Sequence, residues 1–110
     1  MTKKVKYLGL MDSIPRDKFV VIGSGAMVAL GLVTENADLD VVVHPDWLAM
    51  VPEEIDVGSD LLLLEMEFSD VFDNSVEVEG IRVMSIQLLR KFYGKLNRQK
   101  DQEKILILQR

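Results

Sequence analysis

The sequence predicts an α/β or α+β domain in which a mixed sheet is flanked by helices. Short apolar, β-branched runs alternate with segments of helical period, in the order strand, helix, strand, helix, then strands, then helices. Glycine and proline separate these segments. The chain fits a single domain over residues 1–110, and 48% of its residues are apolar, which is enough to build a core.

The first half of the chain predicts two neighbouring strands with a helix between them. After a short helix over residues 5–11, the run 19–22 is apolar and β-branched and predicts a buried strand. A helix follows over 26–30 and a second strand over 39–43. Pro45 fits the first turn of the next helix, because its missing N–H group needs no partner there. We expect both strands in one sheet.

The second half predicts a third strand, a hairpin and two helices. The third strand covers residues 61–68, which are apolar at first and then alternate with acids. Residues 76–84 alternate around a turn at 79–80 and predict a hairpin. Ser85 is a candidate N-cap for a helix with a regular apolar face. The last helix is predicted over 99–109.

Composition excludes several classes of function. The chain has no cysteine, so it has no disulfide, no thiolate zinc site and no cysteine nucleophile. It has no apolar run of about 18 residues, so we expect no membrane span and a cytoplasmic location. The single histidine, His44, is interpreted as a loop or capping residue. The net charge of −5 disfavours nonspecific binding to nucleic acid, although the chain is basic from Arg82 onward.

Two aspartates open the second predicted strand. Side chains at i and i+2 of a strand point to the same side, so Asp38 and Asp40 lie roughly 6–7 Å apart on one face. Two carboxylates this close repel each other unless a cation neutralises them. Magnesium or manganese, with phosphate oxygens completing the shell, would do so. The alternative is a pair of exposed acids at a strand start.

A small-residue turn, Gly23-Ser24-Gly25, follows the first predicted strand and opens a helix. Glycines let the backbone amides approach a phosphate, and the start of the helix favours negative charge. The Ser24 hydroxyl can donate a further hydrogen bond. The turn lacks the Gly-Lys-Ser/Thr sequence of a Walker loop. It predicts a phosphate site of another kind, or only a tight turn.

These two features together resemble the signature of the nucleotidyltransferase superfamily, which has the DNA polymerase β-like fold. An apolar residue, Gly23 and Ser24 are followed by thirteen residues and then by Asp38-Leu39-Asp40. The resemblance implies that Gly23 and Ser24 hold the triphosphate of a nucleotide such as ATP. It also implies that Asp38 and Asp40 bind magnesium or manganese and act in catalysis.

The family completes its site with a third acid on a neighbouring strand. Glu65, in Leu64-Glu65-Met66, has an apolar-acid-apolar setting on the third predicted strand and is our candidate catalytic and metal-binding residue. Glu67 faces the same side of that strand, and Glu77 on the hairpin has a similar setting. Both remain rival assignments.

The C-terminal third resembles small nucleotidyltransferases of the abortive-infection toxin type, so that the likeness covers residues 19–108. The resemblance rests on a glycine hairpin, a Leu-rich helix with lysines, and an Arg-x-Lys-Asp sequence at residues 98–101. Lys91 and Lys95 are candidate nucleotide-binding cations on the helix. The toxin type repeats an Asp three residues after the Lys-Asp pair, where this chain has Lys104.

Two functions compete at this point. The first is metal-dependent transfer of a nucleoside monophosphate from a nucleoside triphosphate (NTP) to an acceptor hydroxyl of RNA, protein or a small molecule. A toxin-like role on tRNA follows from the tail resemblance alone. The second is a nucleotide-binding or regulatory module of the same fold without catalysis. A chain of 110 residues leaves no room for an acceptor-binding domain, so a second copy or a helical partner protein is expected to complete the cleft.

Overall fold

The chain forms a five-stranded mixed sheet with helices packed against it. We describe it from a computed structural model covering residues 2–58 and 66–109. The strands are β1 Phe19–Ile22, β2 Asp40–Val43, β3 Asp56–Val57, β4 Ser75–Val78 and β5 Ile81–Met84. They lie in the order β3-β2-β1-β5-β4. The predicted α/β or α+β class with a mixed sheet is confirmed.

Three 3-10 helices precede the first strand, and the other helices lie between and after the strands. The α-helices are α1 Gly23–Ala29, α2 Phe68–Asp73, α3 Ile86–Leu96 and α4 Gln102–Leu108. Short 3-10 helices cover Thr2–Lys4, Leu8–Met11, Arg16–Lys18, Pro45–Met50 and Gln99–Asp101. No helix within the described part of the chain is long and apolar enough to cross a lipid bilayer.

Strand β1 is the centre of the sheet. It pairs antiparallel with β2, which confirms the predicted neighbours, and parallel with β5. Its four side chains are at most 2% exposed. Because successive side chains of a strand point to opposite faces, the sheet is covered on both faces at this strand. This double burial explains why residues 19–22 are uniformly apolar rather than alternating.

Helix α1 begins three residues before the prediction. It starts at Gly23 rather than Ala26, so the Gly23-Ser24-Gly25 turn is the first turn of the helix. Gly23 has a φ of +63°, a conformation that strains any residue with a side chain. Sequence propensity misses this start because glycine is a poor helix former. Packing against β1 and β2 supplies the stabilisation that propensity lacks.

The segment after β2 is helical, as predicted, but as a 3-10 helix over Pro45–Met50. Pro45 occupies its first turn. The His44 Nδ1 atom accepts a hydrogen bond of 3.1 Å from the Asp46 N–H group. His44 is therefore the N-cap of this helix, which confirms its interpretation as a capping residue.

The second half agrees with most predictions. Strands β4 and β5 form the predicted hairpin, and Glu79 and Gly80 both have positive φ, as a type I′ turn requires. The Ser85 hydroxyl oxygen accepts a hydrogen bond from the Leu88 N–H group and caps α3. Residues 61–65 of the strand predicted over 61–68 lie outside the described residues. Its last residue, Phe68, instead begins α2. The predicted last helix is divided into a 3-10 turn and α4.

Candidate functional site

A cavity of about 680 Å³ opens beside the first residues of β2 and β3. Its lining contains an acidic group from those strand ends and the loop before β2, namely Glu35, Asp38, Asp40 and Asp56. A basic group comes from the segment after α3, namely Arg98, Lys100 and Lys104. Gly23 and Ser24 of α1 and Tyr93 of α3 also line it. The volume is within the range of small-molecule sites.

The predicted aspartate pair lies in this cavity. Leu39 is fully buried, whereas Asp38 is exposed and Asp40 half-buried, so the chain alternates as it enters β2. Both carboxylate-bearing residues line the same cavity, as their i, i+2 spacing predicts. Strand β2 starts at Asp40, one residue later than predicted, which leaves Asp38 in the bend before it.

Asp56 is the acid that lies next to the aspartate pair on a neighbouring strand, and it was not predicted from the sequence. Asp56 is the register partner of Asp40 on the adjacent parallel strand β3. Its N–H group donates to the Leu39 carbonyl at 3.0 Å. Paired residues of neighbouring strands lie on the same face, and the strands are about 4.8 Å apart. A sequence signal exists, because Ile55-Asp56-Val57 has the apolar-acid-apolar pattern that also marks Glu65.

The three acids considered from the sequence have different positions. Glu65 lies outside the described residues. Glu67 is the N-cap of α2, and its carboxylate accepts a hydrogen bond from the backbone of the first helical turn. It lines a different cavity, with His44 and Phe68. Glu77 lies on β4, at the edge of the sheet opposite β3, so the strand order separates it from the aspartate pair.

The Gly23-Ser24-Gly25 turn packs closely against Asp40. A Cβ atom placed on Gly23 would lie 3.4 Å from the Asp40 Oδ2 atom and 3.4 Å from the Tyr93 Oη atom. The carboxylate and the phenol therefore approach the backbone of this turn. Ser24 is the one residue of α1 that is not buried, and it lines the cavity. The turn and the aspartate pair, predicted separately, are brought together.

Asn36 holds the loop that carries Asp38. It is a buried polar residue, 1% exposed. Its Oδ1 atom accepts a hydrogen bond of 2.9 Å from the Lys6 N–H group. Its Nδ2 atom donates to the Asp38 carbonyl at 3.0 Å and to the Lys6 carbonyl at 3.4 Å. One side chain thus ties the N-terminal segment to the backbone of Asp38.

The basic group is organised around Asp101, whose side chain is fully buried. Arg98 donates to its carboxylate from Nε at 2.7 Å and from the terminal nitrogen at 3.2 Å. Burial alone would raise the pKa of Asp101. The hydrogen bonds and charge of Arg98, with the charge of Lys104, outweigh burial and hold this pKa below its ordinary value.

The cations predicted from the sequence are not the ones at the cavity. Lys91 and Lys95 are exposed on α3, and neither is among the lining residues. Their neighbours on the same helix, Phe92 and Tyr93, turn toward the cavity instead. Spacing along α3 cannot place a lysine against the aspartates, because the helix face that reaches them is apolar.

Tyr93 separates the acidic and basic groups. Its ring lies 5.4 Å from the Lys104 Nζ atom, and its hydroxyl approaches the Gly23 turn. Burial raises the pKa of Tyr93 far above its ordinary value, and the negative charges of Asp101 and Asp40 raise it further, against a smaller opposing effect of Arg98. The hydroxyl therefore stays protonated and remains a hydrogen-bond donor.

The carboxylate oxygens that line the cavity suit a hard divalent cation that binds together with a phosphate ligand. Within residues 2–58 and 66–109, no three His, Asp or Glu side chains converge as a ready-made metal site. Magnesium, however, takes one or two carboxylates and completes its shell with water and phosphate oxygens. Asp40 and Asp56, side by side on adjacent strands, meet that requirement, and Asp38 adds a third carboxylate at the same opening.

Comparison with known proteins found no family model that matches this chain, and no curated protein or solved structure that is significantly similar to it.

Proposed function

We propose that this chain is a metal-dependent nucleotidyltransferase that transfers a nucleoside monophosphate from an NTP to an acceptor hydroxyl. The observation that carries the proposal is the meeting of two independent features in one cavity. The carboxylates of Asp38, Asp40 and Asp56 share it with the turn of Gly23 and Ser24. Carboxylates suit a magnesium or manganese ion, and a backbone turn without bulky side chains suits phosphate oxygens.

In the proposed reaction the acceptor oxygen forms a bond to the α-phosphorus, and the bond from that phosphorus to the bridging oxygen breaks. Pyrophosphate leaves, and the acceptor proton passes to a carboxylate. Asp56 suits this last role because it is exposed at the edge strand, where an acceptor can approach. Bound metal would be held by Asp40 and Asp56, with phosphate oxygens and water completing its shell, and Asp38 would add negative charge at the same opening. The metal would neutralise negative charge on the phosphates and the attacking oxygen.

The remaining residues of the cavity position the nucleotide. The Gly23 turn and the Ser24 hydroxyl bind phosphate oxygens, and the protonated Tyr93 hydroxyl offers a further donor beside Asp40. Such donors are in place before the reaction and need no rearrangement during it. Fixed positioning of donors and charges is the main source of catalysis in phosphoryl transfer. The acceptor belongs to one of three classes, namely RNA (including tRNA), a protein side chain or a small alcohol.

The proposal is tested by metal-dependent nucleotide binding. Calorimetry with Mn²⁺ and a non-hydrolysable ATP analogue compares the parent with Asp40→Asn and Asp56→Asn. We expect each change to weaken nucleotide affinity at least about tenfold, because a metal ligand is lost. Asp73→Asn, on the exposed end of α2, is the matched control and should bind as the parent does. Parent-like affinity in both site variants contradicts the proposal.

A second measurement separates transfer from binding alone. Pyrophosphate release from each of the four NTPs is followed with tRNA, with the chain itself and with glycerol as acceptors. We expect release that needs Mn²⁺ or Mg²⁺ and is lost in Asp40→Asn. Tight nucleotide binding without release from any of these mixtures would favour the regulatory module over the enzyme.

A further inference from the structure

The connection from β2 to β3 contains an exposed apolar and acidic segment, residues 46–54. Leu48 is 50% exposed and Met50 is 53% exposed, so two large apolar side chains lie uncovered close together in the chain. The segment contains three acids and no Lys or Arg. Two of the acids, Glu53 and Glu54, are exposed, and neither forms a salt bridge with another described residue. This acidic segment therefore combines uncovered apolar area with unbalanced negative charge.

Helix α3 presents the opposite charge on its exposed side. Arg90, Lys91 and Lys95 are exposed, the helix contains no acid, and none of the three cations forms a salt bridge within the described part of the chain. Lys91 and Lys95 are four residues apart, so their like charges share one side of the helix and repel each other. Beside them, a Cβ atom on Gly94 would meet nothing within 4 Å. Packing within the chain gives no reason for this glycine, which is a poor helix former.

Neighbouring charges offset these two surfaces only in part. Lys18 lies at the far end of β2, where its carbonyl accepts a hydrogen bond of 2.8 Å from the His44 N–H group, so it reaches the start of the acidic segment rather than its two glutamates. On α4, which packs against α3, Glu103 is exposed and offsets one of the three α3 cations. The Arg90 Nε atom donates to the Leu108 carbonyl at 2.7 Å, a bond that leaves its positive charge in place.

We propose that the acidic segment of one copy of this chain docks on the exposed side of α3 in a second copy. The two surfaces are complementary in charge, and the side-chain-free surface at Gly94 lets an apolar side chain such as Met50 approach the helix closely. Each copy carries both surfaces, so two copies can form two equivalent contacts around a twofold axis. Neither surface contains a residue that lines the cavity, so the inference goes beyond the proposed function.

Sedimentation velocity over a range of protein concentrations tests the inference. We expect the parent to self-associate reversibly, and at least about tenfold more weakly in about 1 M salt than in about 0.1 M salt, because the screening length falls from roughly 10 Å to 3 Å. Glu53→Lys with Glu54→Lys makes both surfaces positive, whereas Lys91→Glu with Lys95→Glu makes both negative. Each double variant alone should associate at least about tenfold more weakly than the parent. An equal mixture of the two should associate again, because opposite charges then meet at every contact.

Controls make the result specific. Asp17→Lys with Asp73→Lys changes the net charge as much as the glutamate double variant does, at exposed acids elsewhere, and should associate as the parent does. Met50→Ser keeps every charge and should weaken association at least about threefold, because buried apolar area is lost. Circular dichroism establishes that each variant is folded. A parent that stays monomeric at about 1 mM in about 0.1 M salt overturns the inference, as does parent-like association of either double variant, an equal loss in the charge control or a mixture that stays monomeric.

Discussion

Replacing Asn36 by alanine is expected to destabilise the chain because backbone groups of Lys6 and Asp38 lose their hydrogen-bond partner. In the parent, the Lys6 N–H group is 2.9 Å from Oδ1 and the Asp38 carbonyl is 3.0 Å from Nδ2. An orphaned buried backbone group costs roughly 1–3 kcal/mol. The Lys6 and Asp38 side chains are exposed, so water reaches part of this region and lowers the cost. We expect a total loss of about 2–4 kcal/mol in the free energy of unfolding.

Urea unfolding measures this loss directly. The single tryptophan, Trp47, packs against the core and reports unfolding by fluorescence. The midpoint should fall with an unchanged slope, because the surface exposed on unfolding stays the same. The loss is large against the roughly 5–15 kcal/mol that stabilises a typical domain. Metal affinity should also fall in the folded variant, since Asp38 loses its backbone anchor.

Asn74→Ala is the matched control. Asn74 also donates from Nδ2 to a backbone carbonyl, that of Asp70 at 2.8 Å, but at an exposed helix end. Water replaces the lost partner there, so we expect a cost below about 1 kcal/mol. A cost of Asn36→Ala no larger than that of Asn74→Ala contradicts this prediction, as does an unchanged metal affinity while stability falls.

Two further predictions concern packing and pH. Gly94→Ala in α3 places its Cβ in open space and should stabilise the chain by about 0.5–1 kcal/mol, whereas Gly25→Ala in α1 places it 3.0 Å from Leu39 and should destabilise it by about 1–3 kcal/mol. Thermal unfolding of both variants checks the opposite signs, and a shared sign contradicts the packing argument. The pKa of Asp101 is lowered in the folded state, so its bond to Arg98 contributes stability above the ordinary value of 3.8 and loses it as pH falls below. Asp101→Asn should therefore be less stable than the parent at pH 7, with a difference that shrinks below about pH 4 in acid-unfolding measurements; a constant difference would exclude this linkage.

Elements that depend on local chemistry could be predicted from the sequence. The run 19–22 is β-branched and apolar on both faces, so it identifies β1 without knowledge of its neighbours. The glycine at position 80 permits the positive φ of the hairpin turn, and the Ser85 hydroxyl caps α3 from three residues away. Each of these signals involves only residues close in sequence, which explains why the predictions hold.

The parts of the site that depend on distant partners could not be predicted. Strand β3 has only two residues. Asp56 is positioned by the pairing of this short strand with the edge of β2, which lies distant in the fold from any local sequence signal. The Leu-rich run after it is a stronger strand signal and drew the assignment to Glu65. The basic group depends on Asn97, which ends α3 with a φ of +43° and turns the chain back so that α4 packs against α3. The spacing of residues along α3 does not indicate this reversal of the chain direction.

The central place of β1 also governs when the protein can fold during synthesis. Its parallel partner β5 lies about 60 residues later in the chain, since Val21 pairs with Val83. A nascent chain that has not reached Ile81 carries a β-branched strand with one edge unpaired, and such an edge is a template for association between chains. The ribosome must therefore release most of the sequence before the hydrophobic centre closes. Pairing between strands so distant in the sequence is slow, which lengthens the interval during which this edge of β1 stays unpaired.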